Sequence, residues 1–486
     1  MKIIILYTGI IFFASEGISQ NLVPLFQGKS KPYKEVKNSE IIGLNADGNS
    51  YFFTTWFEQA NTQYYLECFN SKGEVTAEKK LEINPGVFNN SFSIDQVISL
   101  GGKVYALVEH LDKPSGKKSL LARVIEPTGF ISTEELELLS FPFEKTMNSG
   151  FNQVITSPDQ RTLLAVGELP FVKDQSAKVK LALFDNIFNK KHELEITIPG
   201  EDTKNKSLSA YVANDGTVYL VKQTTTKNGE IALQIIQIDP ITADLKEYPL
   251  QLAAPQQFYN YTCDVNNENE LVLCGTIYER KSVQVGEKTA TGVFYFVNEN
   301  KIQSVSKTFL LNSPVENLCS RKILFEGNTI FFTAEQFKEE KITPTTAAST
   351  TSFDYNYTYT HKNEYIFGIG TDGLKKFELN LSKDFTASNF DKQYWSTYFL
   401  ANGKFTILYN DLSKKYSEHY DQNITPVLVQ INSDGLMSSP ILFQNNLKVP
   451  YNMTLYPVYF VQNSKDQFSF LLKNMEHSQL MHLSIE

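Results

Sequence analysis

Pro158-Asp159-Gln160 leads into Leu163-Leu164-Ala165-Val166. After a polar stretch come Leu181-Ala182-Leu183-Phe184-Asp185 and then Leu194-Glu195-Ile196-Thr197-Ile198. A strand precedes the opening turn, a second follows it, a third ends in another turn, and a fourth alternates apolar with polar. Short apolar or alternating runs bounded by Asp, Asn, Gly and Pro are strand and turn signals. Moving outward, the same turn-then-strand beat recurs. Ala46-Asp47-Gly48-Asn49 precedes Tyr51-Phe52-Phe53, and Gly101-Gly102-Lys103 precedes Val104-Tyr105-Ala106-Leu107. Asn214-Asp215-Gly216 precedes Val218-Tyr219-Leu220-Val221, and Glu268-Asn269 precedes Leu271-Val272-Leu273. Glu326-Gly327-Asn328, Asn402-Gly403-Lys404 and Lys465-Asp466-Gln467 each precede a further apolar strand. Four antiparallel strands per repeat describe the blade of a β-propeller. The expected fold is therefore all-β, a single propeller of eight four-stranded blades, with seven as the alternative count. A β-sandwich array explains short strands equally well, but needs about 100 residues per domain, roughly twice this period.

The two ends fit one another. The last repeat stops after a third strand, Leu480-Met481-His482-Leu483-Ser484-Ile485, and Leu22-Val23-Pro24-Leu25-Phe26-Gln27 is an orphan. Its sequel Lys31-Pro32-Tyr33-Lys34 resembles Lys448-Val449-Pro450-Tyr451, which follows Ile441-Leu442-Phe443-Gln444. Strand 22–27 is expected to complete the C-terminal blade and close the ring, removing an open sheet edge.

Ahead of it, Lys2, the apolar run Ile3 to Ala14 and small residues at Gly17 and Ser19 have the order of a secretory signal peptide, cut before Gln20. The run is shorter than the roughly 20 residues a spanning helix needs. The alternative is a buried N-terminal strand. Residues 1–19 are thus expected to be the signal peptide and 20–486 the propeller domain. The chain is expected in the periplasm, at the cell surface or secreted, as a monomer with no membrane span.

Hydrophobic residues make up 42% of the chain and aromatics 13%, with 25 Tyr and 35 Phe, a packed and strand-favouring composition. The net charge of −9 is spread along the chain and argues against nucleic acid, whose binders carry basic patches. Four cysteines are too few for a disulfide scaffold. Cys263 and Cys274 flank the turn Asn266-Asn267-Glu268-Asn269 and are either a cross-strand disulfide or two reduced, buried thiols. Cys68 and Cys319 are expected to be free.

The connections between second and third strands are the long ones: His110 to Lys118, Leu169 to Lys178, Glu279 to Thr291, Asp411 to Thr425, and the Thr/Ser/Tyr-rich stretch 338–362. The centre of 338–362 is expected to be disordered, with its Tyr-rich end extending a hairpin. The same face should collect the inter-blade linkers with their aromatics Tyr33, Phe88, Phe143, Phe258, Tyr259, Tyr261, Tyr394, Trp395 and Tyr451. Such rings suit glycan or protein binding, or simply fill gaps between blades. Glu109, Glu168, Glu335 and Asp411 recur where second strands reach this face. A pair of them at the right separation would run glycoside hydrolysis; solvated strand-end charge is the plainer reading. The six scattered His offer no metal set, and no nucleophile elbow, zincin helix or phosphate loop is present. No metal and no cofactor are expected.

The repeated Asp/Asn-Gly turns and Tyr/Phe-rich strands resemble uncharacterised secreted β-propeller proteins of bacteria. The resemblance covers the chain after the leader and implies a fold, with no activity attached. The expected role is a protein- or glycan-binding or scaffold module acting through the long-loop face. The alternatives are a carboxylate-dependent glycan hydrolase or lyase in the central funnel, and a structural component of a cell-surface assembly.

Overall fold

The computed structural model describes residues 22–27, 31–32, 38–42, 50–58, 61–70, 75–81, 90–126, 128–145, 148–173, 175–201, 206–225, 230–279, 289–298, 304–342, 356–383, 385–388, 396–412, 424–443, 454–462, 465–473 and 477–485. Every regular element named among them is a strand. β1 (Leu22–Gln27) and β2 (Lys31–Pro32) come first. β3 (Asn38–Ile42), β4 (Ser50–Glu58), β5 (Asn61–Phe69) and β6 (Val75–Leu81) form one antiparallel sheet in chain order. β7 (Asn90–Leu100), β8 (Lys103–Asp112), β9 (Lys117–Ile125) and β10 (Leu136–Pro142) form the next. β11 (Phe151–Thr156), β12 (Thr162–Glu168), β13 (Ser176–Asp185) and β14 (Lys190–Glu201) repeat the pattern.

An eight-stranded sheet follows. It holds β15 (Lys206–Val212), β16 (Val218–Thr225), β17 (Ile231–Ile238) and β18 (Leu245–Leu250), then β19 (Gln256–Val265), β20 (Leu271–Glu279), β21 (Thr289–Asn298) and β22 (Ser304–Glu316). The single pair Ile231–Phe258 joins β17 to β19. β23 (Leu318–Glu326), β24 (Thr329–Ile342), β25 (Asn356–Gly370) and β26 (Lys375–Leu381) carry an added strand, β27 (Phe385–Ser388), on β25. β28 (Thr397–Ala401), β29 (Lys404–Leu412), β30 (Ile424–Ile431) and β31 (Ile441–Leu442) come next. The final sheet joins β32 (Thr454–Gln462), β33 (Gln467–Lys473) and β34 (His477–Ile485) to β1. Leu22 pairs with Ile485 and Gln27 with Met481, so the orphan strand does sit on β34 as the fourth strand of that sheet.

Consecutive sheets share apolar clusters, and this explains why many strands read as unbroken hydrophobic runs. In β16, Val218 and Leu220 enter the cluster shared with β11–β14, while Tyr219 and Val221 enter the cluster shared with β19–β22. Successive strand residues point to opposite faces, and here both faces are covered. The same sharing links β3–β6 to β7–β10, β7–β10 to β11–β14, and every later sheet to the one after it. First strands also neighbour first strands: β15 lies against β11 and β19, β23 against β19 and β28, and β3 against β7 and β32.

The turns that ended the sequence repeats also bind neighbours together. Gly216, at φ 90°, closes the turn from Ala213 to Thr217, where Ala213 N donates to Thr217 O at 2.9 Å. Asn269, at φ 68°, has the corresponding place in the next sheet. Glycine and asparagine are the residues that tolerate this left-handed backbone. Asn214 Oδ1 accepts from Asp159 N at 3.0 Å, and Asn269 Oδ1 accepts from Asp215 N at 3.3 Å. An Asn carboxamide thus accepts from the preceding turn twice across three successive turns, with the Asn at a different turn position each time.

The Tyr-rich end of 338–362 does extend a hairpin: β24 and β25 pair as far out as Ile342–Asn356, so 338–342 and 356–362 are strand, and the centre expected to be disordered, 343–355, lies outside the described residues. β8 and β9 close the stretch His110 to Lys118 down to the turn 113–116. The Cys263–Cys274 disulfide does not form. Cys263 stands opposite Leu273 and Cys274 opposite Thr262, a register one residue away from the one a bond needs. The two side chains therefore enter different clusters, and all four cysteines are free. Burial pushes the Cys263 thiol up to about 12 and Cys274 well above its ordinary value. Both are expected to resist Ellman's reagent in the native protein, and all four to react in guanidinium without reductant. Two thiols missing from that titration would restore the bond.

Candidate functional site

The polar recess between β15 and β19 has the features of a binding site. Its volume is about 480 Å³, and it is lined by Ser207, Ser209 and Tyr211 of β15, Gln223 and Ile231 beside them, and the β19 run from Tyr259 to Thr262. Ligand pockets are ordinarily about 300–1,000 Å³. Gln223 lies near the end of β16 and Ile231 begins β17, so the recess opens toward the side where second and third strands are joined. Alternation places the lining: Leu208 and Ala210 are buried between sheets, which leaves Ser207, Ser209 and Tyr211 on the open side.

Tyr259 reaches the recess through a β-bulge. Phe258 pairs with Ile277 and Asn260 with Thr276, leaving Tyr259 as the extra residue. Bulges re-aim side chains and are frequent beside sites. This one is firmly held. Asn260 Nδ2 donates to Leu318 O at 3.0 Å, and Asn260 Oδ1 accepts from Ser320 N at 2.8 Å and Thr276 Oγ1 at 2.9 Å. Across from it, Gly275 is required: a Cβ there would stand 2.2 Å from the Asn260 carbonyl oxygen. Gln153 makes the same carboxamide clasp one interface earlier, donating to Leu208 O at 2.8 Å and accepting from Ala210 N at 3.3 Å. Burial raises the phenols of Tyr211 and Tyr261, and it pushes Tyr259 up to about 12, with Cys319 adding to the effect. All three stay neutral donors at physiological pH.

A second space of about 420 Å³ gathers Ile155 to Pro158, Gln160, Tyr211, Asp264, Ile323 to Phe325 and Leu400. Those residues come from β11, β15, β19, β23 and β28, or the turns after them. Tyr211 borders both spaces.

Of the four recurrent carboxylates, Glu109, Glu168 and Asp411 lie toward the ends of second strands while Glu335 sits midway along β24, and Glu109 and Glu168 are half-buried and ion-paired. Lys118 Nζ is 2.9 Å from Glu109, and Lys206 Nζ is 2.7 Å from Glu168. Asp411 and Glu335 are fully buried. Glu335 anchors a charged cluster that the sequence did not reveal. Arg321 Nη2 and Nε lie 2.7 and 2.8 Å from its Oε2; Lys383 Nζ and His361 Nδ1 lie 2.5 and 2.9 Å from its Oε1. Lys383 also pairs with Glu364 at 2.6 Å and donates to Ser396 at 2.9 Å, while Tyr398 donates to Glu364. Burial opposes ionisation of Glu335, yet Lys383 and Arg321 outweigh it and hold the carboxyl well below the usual range. Burial lowers His361, so it is neutral and its Nδ1–H donates to Glu335. A general acid needs a raised carboxyl. Among the described residues Asp95 and Asp264 have one, through burial, with Glu109 adding to it at Asp95 and Lys322, 3.6 Å away, opposing it at Asp264.

Of the aromatic residues expected on this face, Tyr259 and Tyr261 line the recess, and Phe143 and Phe258 are buried packing residues. Phe258, Tyr259 and Tyr261 belong to strand β19 and not to a linker. Tyr33, Phe88, Tyr394, Trp395 and Tyr451 lie outside the described residues. Ser207, Ser209 and Gln223 were missed. Their signal was the polar alternation Ser207-Leu208-Ser209-Ala210, which is brief but has the right period.

No known protein family and no curated protein matches the chain. Solved structures resemble it weakly. The β-propeller domain of the Trilobed protease from Pyrococcus furiosus is 11% identical, with 82% of this chain and 95% of that one covered and a TM-score of 0.36. Synechocystis apocarotenoid oxygenase is 10% identical, covering 92% and 98%, at 0.39. The WD40 domain of SCAP from fission yeast is 10% identical, covering 95% and 98%, at 0.35. None of these bears on activity. No helix among the described residues is long and apolar enough to cross a membrane.

Proposed function

We propose that this chain is an exported β-propeller of eight blades, closed by β1 on the C-terminal blade, that binds protein or glycan through the face where second and third strands turn. Support for the ring is the serial sharing of apolar clusters, the adjacency of β3 to both β7 and β32, and the pairing of β1 with β34. The observation that carries the binding role is the recess beside β15 and β19, whose lining is hydroxyl, carboxamide and apolar with no carboxylate. Cations engage Glu109, Glu168 and Glu335, three of the four expected carboxylates, which weighs against the carboxylate-hydrolase alternative.

Export rests on Lys2, the run Ile3 to Ala14 and the small residues before Gln20. The test is to secrete the chain, confirm that the product begins at Gln20, and screen it against a glycan array and a panel of envelope proteins. Specific binding without cleavage of the bound partner is the expected result. Replacing Tyr259 and Tyr261 together should weaken it. Absence of binding to either panel, or catalytic release of reducing ends, would overturn the reading.

A further inference from the structure

We propose that the recess between β15 and β19 takes a short neutral saccharide, a ligand class that deepens the binding role above and rests on it. Three features of the recess lead there. It contains no Asp, Glu, Lys, Arg or His among its lining residues. A uronate or sialate carboxylate placed in it would be desolvated with no counter-charge, which is costly. Its polar groups are also of the right kind. Ser207, Ser209, Thr262, Gln223 and Tyr261 offer hydroxyls and a carboxamide, each able to donate and accept. A sugar hydroxyl has the same dual capacity. An apolar side chain from a protein partner would cover these groups and leave them unsatisfied.

The third feature is the investment in fixed aromatic rings. Tyr211, Tyr259 and Tyr261 come from two facing strands, and Tyr259 is turned inward by a bulge that Asn260 pins to β23. Tyr259 meets Tyr278 edge-on at 6.3 Å between ring centroids, which supports it from behind. Rigid tyrosines give a large contact at low entropic cost, and their polar edge hydrogen-bonds while the ring packs. Asn260 heads an Asn-x-Thr triplet, yet its side-chain nitrogen already donates to Leu318. It serves the recess as a brace and not as a glycan acceptor.

The experiment is calorimetric titration of the intact protein with maltotriose, cellotriose, chitotriose and N-acetyllactosamine, with sialyllactose and trigalacturonate as charged probes. At least one neutral probe should bind in the micromolar-to-millimolar range, with affinity unchanged from low to molar salt because no ion pair is made. Tyr261→Ala should weaken that binding about tenfold or more, equivalent to about 1.4 kcal/mol. Ser209→Ala, a smaller change that leaves the sheet interior alone, should weaken it several-fold and guards against a folding defect in the first variant. No binding of any neutral probe, binding of the charged probes alone, a steep salt dependence, or indifference to both substitutions would each overturn the inference. A charged glycan or a protein bound at the same face would remove the inference and leave the binding module standing. Silence across these probes and both panels would remove both.

Discussion

Lys383→Met is expected to destabilise the protein by about 3–5 kcal/mol, read as a lowered midpoint in guanidinium. Removing one partner of a buried ion pair strands the other, and costs of that size follow. Here one amine bridges two carboxylates, which Arg321, His361, Ser396 and Tyr398 also engage. Lys383 lies 2.5 Å from Glu335 and 2.6 Å from Glu364, and all three side chains are fully buried. The cluster spans two sheets, with Arg321 on β23, Glu335 on β24, His361 and Glu364 on β25, and Ser396 and Tyr398 at the start of β28. Its loss should therefore open that interface first, and backbone hydrogen exchange should rise in β23 and β28 before other strands.

The pH dependence has a defined sign. Glu335 is lowered, so its contribution is present above the unfolded value of about 4.3 and is lost as pH falls through the folded one. Glu335 and Glu364 outweigh the burial of Lys383 and raise it, so its contribution is present below about 10.4 and lost in stronger alkali. His361 is lowered by burial, so the unfolded chain takes up its proton first, and acidification below about 6.5 already erodes stability. His361→Phe should flatten the slope between pH 7 and 5. An unchanged slope, or a Lys383→Met midpoint equal to that of the parent protein, would contradict this account.

Deletion of residues 20–27 should have a larger effect still. It removes β1 and leaves the outer side of β34 as a bare sheet edge, the template for aggregation. The expected result is loss of most of the folded, soluble protein, comparable to a whole domain's margin of about 5–15 kcal/mol. Leu22 pairs with Ile485, so the deleted strand begins beside the residue where β34 ends. Attaching residues 22–27 behind Glu486 through a short glycine-rich turn should restore solubility and the denaturation midpoint. Full stability in the deleted protein would mean that β1 contributes nothing to the sheet.

Much of this architecture was readable from local chemistry. Turns such as Asn214-Asp215-Gly216 need left-handed backbone, and few residues supply it. Strands such as Val218 to Val221 are apolar on both faces because both faces are covered. The orphan strand at Leu22 was legible because the last repeat lacked a member. Register was harder. The Cys263–Cys274 pairing failed by one residue, since the turn between them holds five residues from Asn266 to Glu270 and nothing in composition fixes that number. The charged cluster was hidden for another reason. Arg321, Glu335, His361 and Lys383 are scattered along the chain in polar stretches, and only tertiary pairing makes them a unit. The recess was half visible: Tyr259 and Tyr261 stood out as aromatic, while Ser207 and Ser209 read as ordinary strand residues.

The bridge between Ile231 and Phe258 has a kinetic meaning. It makes β15 to β22 one continuous hydrogen-bonded sheet, and both walls of the recess belong to it. The tie across the cleft is a single backbone pair, and it opposes sliding of one wall against the other. In the binding role proposed above, an incoming molecule would meet a receptor already near its bound shape. Little is lost to ordering on arrival, and the association rate should not wait on a slow opening step. Discrimination between partners would then reside in how long each one stays.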